Sequence, residues 1–233
     1  MSGTSEGIAR PGIAGPGIAG RIDHTLLRAD ATAFDIDRHC REALEHGFAT
    51  VCVHGLWVAR CAALLGASAV RVASVVGFPL GGAAPEAKRF AARLAVEQGA
   101  SEIDLMIALG ALKGGDLDLV RRDADGVVRS CHEDGAIVKL ILETGSLSLV
   151  EKEAACRIAV ECGVDFVKTS TGFGASGATT DDVALLRRLV GPAIGVKASG
   201  GIRDLETARA MLRAGATRIG TSSSPRIVAE ERS

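Results

Sequence analysis

The sequence predicts an α/β protein folded as a single (β/α)8 TIM barrel, and three observations carry that prediction. Short β-type runs start near Ile22, Thr50, Arg71, Glu102, Ile137, Asp165, Ile194 and Arg218, at intervals of 28, 21, 31, 35, 28, 29 and 24 residues. Amphipathic helical stretches fill the gaps, among them 86–98, 117–133, 149–162, 181–190 and 205–214. Glycine closes several of these units, at Gly47, Gly99, Gly135, Gly163 and Gly215, as suits a left-handed helix end. A chain of 233 residues admits one large domain or two small ones, and eight strand–helix units favour one. The runner-up is an open doubly wound sheet, but no GxGxxG follows the first strand.

Taken in order, residues 1–20 repeat the string PGIAG, a density of Gly and Pro that prevents a helix and leaves little to bury. They read as a low-complexity, disordered tail, with the barrel domain spanning 21–233. The first strand carries Asp23, His24 and Thr25, and the second ends at His54-Gly55. Strand alternation then sorts four consecutive strands. The fourth puts Ile103, Leu105 and Ile107 towards the helices and Glu102, Asp104 and Met106 towards the axis. In the fifth, Lys139, Ile141 and Glu143 face inward; in the sixth, Phe166, Lys168 and Ser170; in the seventh, Gly195, Lys197 and Ser199.

The basic residues sharpen this pattern. Of 27, 21 are Arg and only 6 are Lys, and three of those lysines, Lys139, Lys168 and Lys197, fall on one inner surface opposite Asp104. Arginine stays protonated at ordinary pH, whereas a lysine crowded by another cation in a dry site loses its proton more readily. Both Lys168 and Lys197 are expected to have lowered pKa values, which is the preparation a Schiff-base nucleophile needs. The bland alternative is a buried ion network of these lysines with Asp104, Glu102 or Glu143. The loops after the late strands, Thr171-Gly172, Ser199-Gly200-Gly201 and Thr221-Ser222-Ser223-Ser224, combine free backbone amides with hydroxyls and suggest an anion site. Barrels place phosphates there.

A net charge of −1 argues against a general nucleic-acid binder. No run of ~18 apolar residues suggests a membrane span, and no basic start with an apolar core suggests a secretory signal. Six cysteines without a CxxC pair read as reduced thiols of a cytoplasmic protein. His24 reads as a hydrogen-bonded histidine filling the barrel, or more sharply as a proton relay or metal ligand. With His39, His46 and His132 on helices, no metal triad is evident in the sequence. Arg121-Arg122 and Arg187-Arg188 read as solvated helix faces.

These residues resemble the deoxyribose-phosphate aldolase family of class I aldolases. The matching stretches are IDHTLL (22–27), VVGFPLG (75–81), EIDLMI (102–107), GALKGGD (110–116), VKLILET (138–144), FVKTSTGF (166–173), VKASGGIRDLETA (196–208) and AGATRIGTSS (214–223). The resemblance implies reversible cleavage of 2-deoxy-D-ribose 5-phosphate to acetaldehyde and D-glyceraldehyde 3-phosphate, with no cofactor and no catalytic metal. It implies Lys168 as the imine-forming nucleophile, Lys197 as its neighbouring lysine and Asp104 as the general acid/base. Lys139 and Thr25 would line the site, and Thr171, Gly172, Gly200, Gly201, Ser222 and Ser223 would hold substrate, the glycines and serines its 5-phosphate. Partners are then a small sugar phosphate and further copies of the chain, as a homodimer or higher homo-oligomer. The sequence departs from the family's usual pattern at His54-Gly55, where Asn-Pro is common, at Ala108, where Asn is common, and at Phe173, where some members carry Lys. It also lacks any tyrosine, whereas some members end in a tyrosine tail. A metal-dependent aldolase, a phosphate-binding barrel isomerase and a non-enzymatic sugar-phosphate binder remain alternatives.

Overall fold

The structure, a computed structural model, describes residues 17–233. Eight parallel strands close into a barrel in chain order: β1 (Ile22–Leu26), β2 (Thr50–His54), β3 (Arg71–Val76), β4 (Glu102–Met106), β5 (Ile137–Ile141), β6 (Phe166–Lys168), β7 (Gly195–Ser199) and β8 (Arg218–Thr221). Around them run α1 (Ala33–His46), α2 (Val58–Leu65), α3 (Pro85–Glu97), α4 (Leu109–Lys113), α5 (Leu117–Glu133), α6 (Leu149–Glu161), α7 (Thr180–Val190), α8 (Leu205–Arg213) and α9 (Ser224–Arg232). The chain is an α/β barrel of the kind its spacing predicts.

Local chemistry explains the boundaries. Thr32 and Asp35 form a capping box at the start of α1, as Ser148 and Glu151 do at α6, so each satisfies two otherwise orphaned backbone donors. The α1 helix stops at Gly47, which adopts φ 67° and ψ 44°, a conformation that costs a side chain bearing Cβ. Outward strand residues Ile103, Leu105, Val138, Leu140, Val167 and Val196 are all fully buried against the helices. That layer holds most of the apolar core. A smaller cluster of Leu27, Cys52, Ala73 and Val75 lies apart from it, packed against Phe78.

Residues 1–16 of the expected tail lie outside the described residues. Of the remainder, Ile18 is buried in the core and its N–H donates to the Glu231 carboxylate at 3.1 Å, so the packed chain starts before Arg21 and is tied to α9. One expectation about the helices needs correcting. Arg187 is not a solvated side chain: its guanidinium donates to the carbonyls of Gly191, Ile194 and Gly215, holding the end of α7 to the loops before β7 and β8.

Candidate active site

Register decides which inner residues meet. Asp104 pairs in register with Lys139 and Lys168 with Lys197, while Asp23 lies opposite Gly220. Asp104 becomes the hub. Its Oδ1 accepts from Lys139 Nζ at 2.7 Å, and its Oδ2 accepts from both Lys168 Nζ at 2.8 Å and Lys197 Nζ at 2.7 Å. A second layer supports the hub. Asp23 accepts from Lys197 at 2.5 Å and from Arg218 at 2.6 Å, and Glu102 lies 2.7 Å from Lys139 and 3.3 Å from Arg218. Glycine makes room for the lysine on β8, since a Cβ on Gly220 would lie 2.9 Å from Lys197 Cε.

The buried network therefore contains three carboxylates, Asp23, Glu102 and Asp104, against four cations, Lys139, Lys168, Lys197 and Arg218. One proton too many is held away from water, and burying uncompensated charge is costly. Lys168 is the member that yields. Burial pushes its pKa down, and Lys197 pushes the same way against the opposing pull of Asp104. Lys197 and Lys139 go up instead: burial alone would lower both, but Asp104 and Asp23 outweigh it at Lys197, and Asp104, Glu102 and Asp23 at Lys139. The expectation that Lys168 and Lys197 are both lowered thus holds for Lys168 only. Burial would raise the carboxyls of Asp104 and Asp23, yet the surrounding cations hold both well below the usual range.

Above this network opens a cavity of about 420 Å³ lined by Lys168, Thr25, Thr171, Gly172, Gly200, Gly201 and Ser222, with Arg28, Arg203 and Phe173 also on its wall. Lys168 is the lysine that reaches it. Lys139 lies beneath Asp104, fully buried, and does not line the cavity as expected; Lys197 is equally enclosed. Ser223 also stands back from the wall, at the start of α9, with its N–H donating to Thr221 Oγ1 at 2.9 Å. Gly172, Gly200 and Gly201 all take positive φ, at 87°, 87° and 80°. Their amide N–H groups and that of Ser222 have no partner among the described residues.

Four residues have positions or roles that the sequence reading missed. Asp23 and Arg218 complete the ion network; both sit two residues before inner residues, Thr25 and Gly220, so extending the alternation to β1 and β8 finds them. Glu143 stays out of the lysine network. It lies beyond the end of β5 with φ 58°, and its carboxylate accepts from Thr171 N–H at 3.1 Å and from Thr171 Oγ1, clamping the loop after β6. His24 points away from the axis, not into the barrel, because Asp23 and Thr25 take the inner face. Two of the family departures frame Phe78, whose ring lies 5.9 Å from Lys168 Nζ. His54 approaches that ring edge-on at 6.0 Å and donates to the Leu27 carbonyl, and Phe173 meets it at 5.3 Å.

Among the described residues no helix is long and apolar enough to cross a membrane. The chain is 55% identical over 207 residues to a deoxyribose-phosphate aldolase of Geobacillus sp. (strain WCH70), covering 89% of this chain and 92% of that protein. It is 54% identical to one of Thermococcus gammatolerans, over 89% of this chain and 93% of that protein. Among solved structures, a Coccidioides immitis protein described as a putative deoxyribose-phosphate aldolase matches with a TM-score of 0.89 at 41% identity, covering 93% of this chain and 86% of that one. The deoxyribose phosphate aldolase of Aeropyrum pernix, described as a unique tetramer, matches with a TM-score of 0.87 at 35% identity, over 93% and 91%. The family model for DeoC/LacD family aldolases matches residues 18–224, and the chain belongs to that family.

Proposed function

We propose that the chain reversibly cleaves 2-deoxy-D-ribose 5-phosphate to acetaldehyde and D-glyceraldehyde 3-phosphate through an imine on Lys168. The observation that carries this reading is the contrast among the inner lysines: Lys168 alone combines access to the cavity with a lowered pKa. A neutral amine attacks the C1 aldehyde, and the carbinolamine loses water to give a protonated imine. A base then takes the C3 hydroxyl proton, the C2–C3 electron pair moves into the iminium, and glyceraldehyde 3-phosphate departs. Protonation of the resulting enamine at C2 and addition of water free acetaldehyde and restore the amine. The water lost in the first half is regained in the second.

Asp104, ionised in the resting network, is the proton acceptor, and Lys197, protonated and sharing the same carboxylate oxygen with Lys168, is the donor that returns the proton. Lys139 holds the other oxygen of Asp104 and keeps that carboxylate aimed at the two lysines. Thr25 and Thr171 face the sugar, and the amides of Gly172, Gly200, Gly201 and Ser222 receive the 5-phosphate. The iminium is itself the electron sink, the role for which other aldolases recruit a metal ion.

Two coarser aspects complete the reading. Six free thiols suit a reducing compartment, which we take to be the cytoplasm. A homodimer or higher homo-oligomer is supported by the tetrameric Aeropyrum pernix relative and by the exposed Leu80 and Phe90. Turnover tests the function: purified protein with 2-deoxyribose 5-phosphate should release acetaldehyde and glyceraldehyde 3-phosphate in equal amounts, in the presence of a chelator as in its absence. Absence of release, or release abolished by the chelator, would overturn the proposal.

A further inference from the structure

Of the six lysines, Lys88 is buried yet lies outside the ion network beneath the cavity. From α3 its Nζ donates to Asp123 Oδ2 on α5 at 2.5 Å and to the carbonyl of Met106, the last residue of β4, at 3.0 Å. Its stem packs against the loop after β3. There Gly77 has φ 64°, and a Cβ on it would lie 2.8 Å from Lys88 Cε. The far end of that loop is fixed as closely: Gly81 N–H donates to the Gly77 carbonyl at 2.7 Å, and a Cβ on Gly81 would lie 2.0 Å from the Ile107 carbonyl oxygen. One side chain thus joins α3, α5 and the end of β4, while its methylenes abut the residue before Phe78.

Phe78 is what this anchorage holds in place. Its ring lies 5.9 Å from Lys168 Nζ, packs on Leu27, Cys52, Ala73 and Val75, and is braced by Phe173 and His54. The same residue forms part of the wall of a second cavity, about 520 Å³, which His54, Ser74, Val76 and Leu80 also line. Leu80 is 80% exposed, so that cavity reaches the surface, and Phe78 stands between it and the nucleophile. A ring so placed acts on Lys168 in two opposite ways. Its π face favours the ammonium, weakly at the ~6 Å limit of such contacts. Its bulk keeps water away, which favours the amine. Burial is the largest influence on Lys168, ahead of Asp104 on β4, Lys197 on β7 and Cys52 on β2, the titratable groups that face it from the other strands. Exclusion of water wins.

We propose that Phe78 is the water seal over Lys168, and that Lys88 and Asp123 are positioning residues that hold the 77–81 loop, and with it the seal, in place. The proposal rests on Lys168 as the imine-forming residue. All three side chains act through that lysine rather than on the substrate.

The acidic limb of kcat/KM, which follows the free nucleophile, is measured on full-length variants whose cooperative unfolding is verified. Phe78→Ala is expected to move the limb to higher pH by about one unit, a tenfold loss of neutral amine below it. Phe78→Leu restores the bulk without the ring and returns the limb most of the way. Lys88→Met combined with Asp123→Leu removes both charges together, leaves no lone ion buried, and moves the limb upward with Phe78 intact. Gly77→Ala drives the loop off the Lys88 stem while keeping the ion pair and has the same effect, so the link stays testable even if the double variant does not fold. A limb that is unmoved or shifted to lower pH in Phe78→Ala, or shifted equally in Phe78→Leu, would overturn the seal. An unmoved limb in Gly77→Ala would overturn the anchorage. Borohydride trapping with acetaldehyde separates this proposal from the reading beneath it: a Lys168 adduct in the wild type with unmoved limbs refutes the seal alone, whereas an adduct elsewhere refutes the reading itself.

Discussion

Lys168 and Lys197 donate to the same carboxylate oxygen, Oδ2 of Asp104, at 2.8 and 2.7 Å, yet their pKa values move in opposite directions. The difference lies in what else each one touches. Lys197 has a second carboxylate, Asp23, at 2.5 Å, whereas Lys168 has only its share of Asp104 and faces the cavity. Of two lysines on adjacent strands, one is thus held more firmly as an ammonium and the other gives up its proton more readily, which is the division of labour that imine chemistry requires.

Removing the neighbouring charge should therefore move the enzyme's pH dependence. Lys197 lowers Lys168, and its loss also leaves Asp104 more fully to Lys168; both effects raise the nucleophile's pKa. Because the neutral amine is the reactive form, the acidic limb of kcat/KM in Lys197→Met should shift to higher pH, by about one unit or more. An acidic limb that stays in place would show that Lys197 does not tune the nucleophile.

Asp104 holds three lysines at once, so Asp104→Asn should lose in two ways. The rate should fall about 10²–10⁴-fold, the usual weight of a positioned acid/base. Stability should fall by about 3–5 kcal/mol, because the variant leaves buried cations without their counter-charge. Steady-state kinetics and urea unfolding measure the two separately.

The phosphate loops make a narrower prediction. Gly200 sits at φ 87°, and a Cβ there would lie 3.0 Å from the Cα of Gly177, pressing the loops after β6 and β7 apart. Gly200→Ala should raise KM for 2-deoxyribose 5-phosphate about tenfold, matching the 1–2 kcal/mol cost of that backbone region. KM for unphosphorylated 2-deoxyribose should hardly change. Equal effects on both substrates would remove the phosphate from these loops.

Acid stability follows from the carboxylates. Asp23 and Asp104 are held below their unfolded values near 3.8 by neighbouring cations acting against burial. Their contribution is fully present above that value and is lost as pH falls through the folded-state values. Thermal unfolding should thus show a Tm that holds down to about pH 4 and then declines. In Asp23→Asn the Tm is lower at neutral pH and the acid limb flatter; an unchanged acid limb contradicts the assignment.

Much of this architecture was legible before any coordinates. Six of the eight strands begin at the residue that the sequence pattern predicts, and the other two, β6 and β7, one residue later. Strand alternation brought Asp104, Lys139, Lys168 and Lys197 together because its period of two is a property of the backbone. It stopped being informative where the strands stopped: Glu143 follows β5, and its positive φ turns its side chain to Thr171 rather than to the lysines. His24 and His39 are 15 residues apart on a strand and a helix, and only the packing of α1 on β1 stacks their rings. Arg187 looked like half of a surface charge pair, because sequence does not show carbonyls waiting beneath a helix end.

The most direct test of the central claim is to reduce the enzyme with borohydride in the presence of acetaldehyde and map the modified peptide by mass. The account predicts a single ethyl adduct on Lys168, absent in Lys168→Arg, whose unfolding remains cooperative. An adduct on Lys197 or Lys139, or activity that persists in Lys168→Arg, would contradict it.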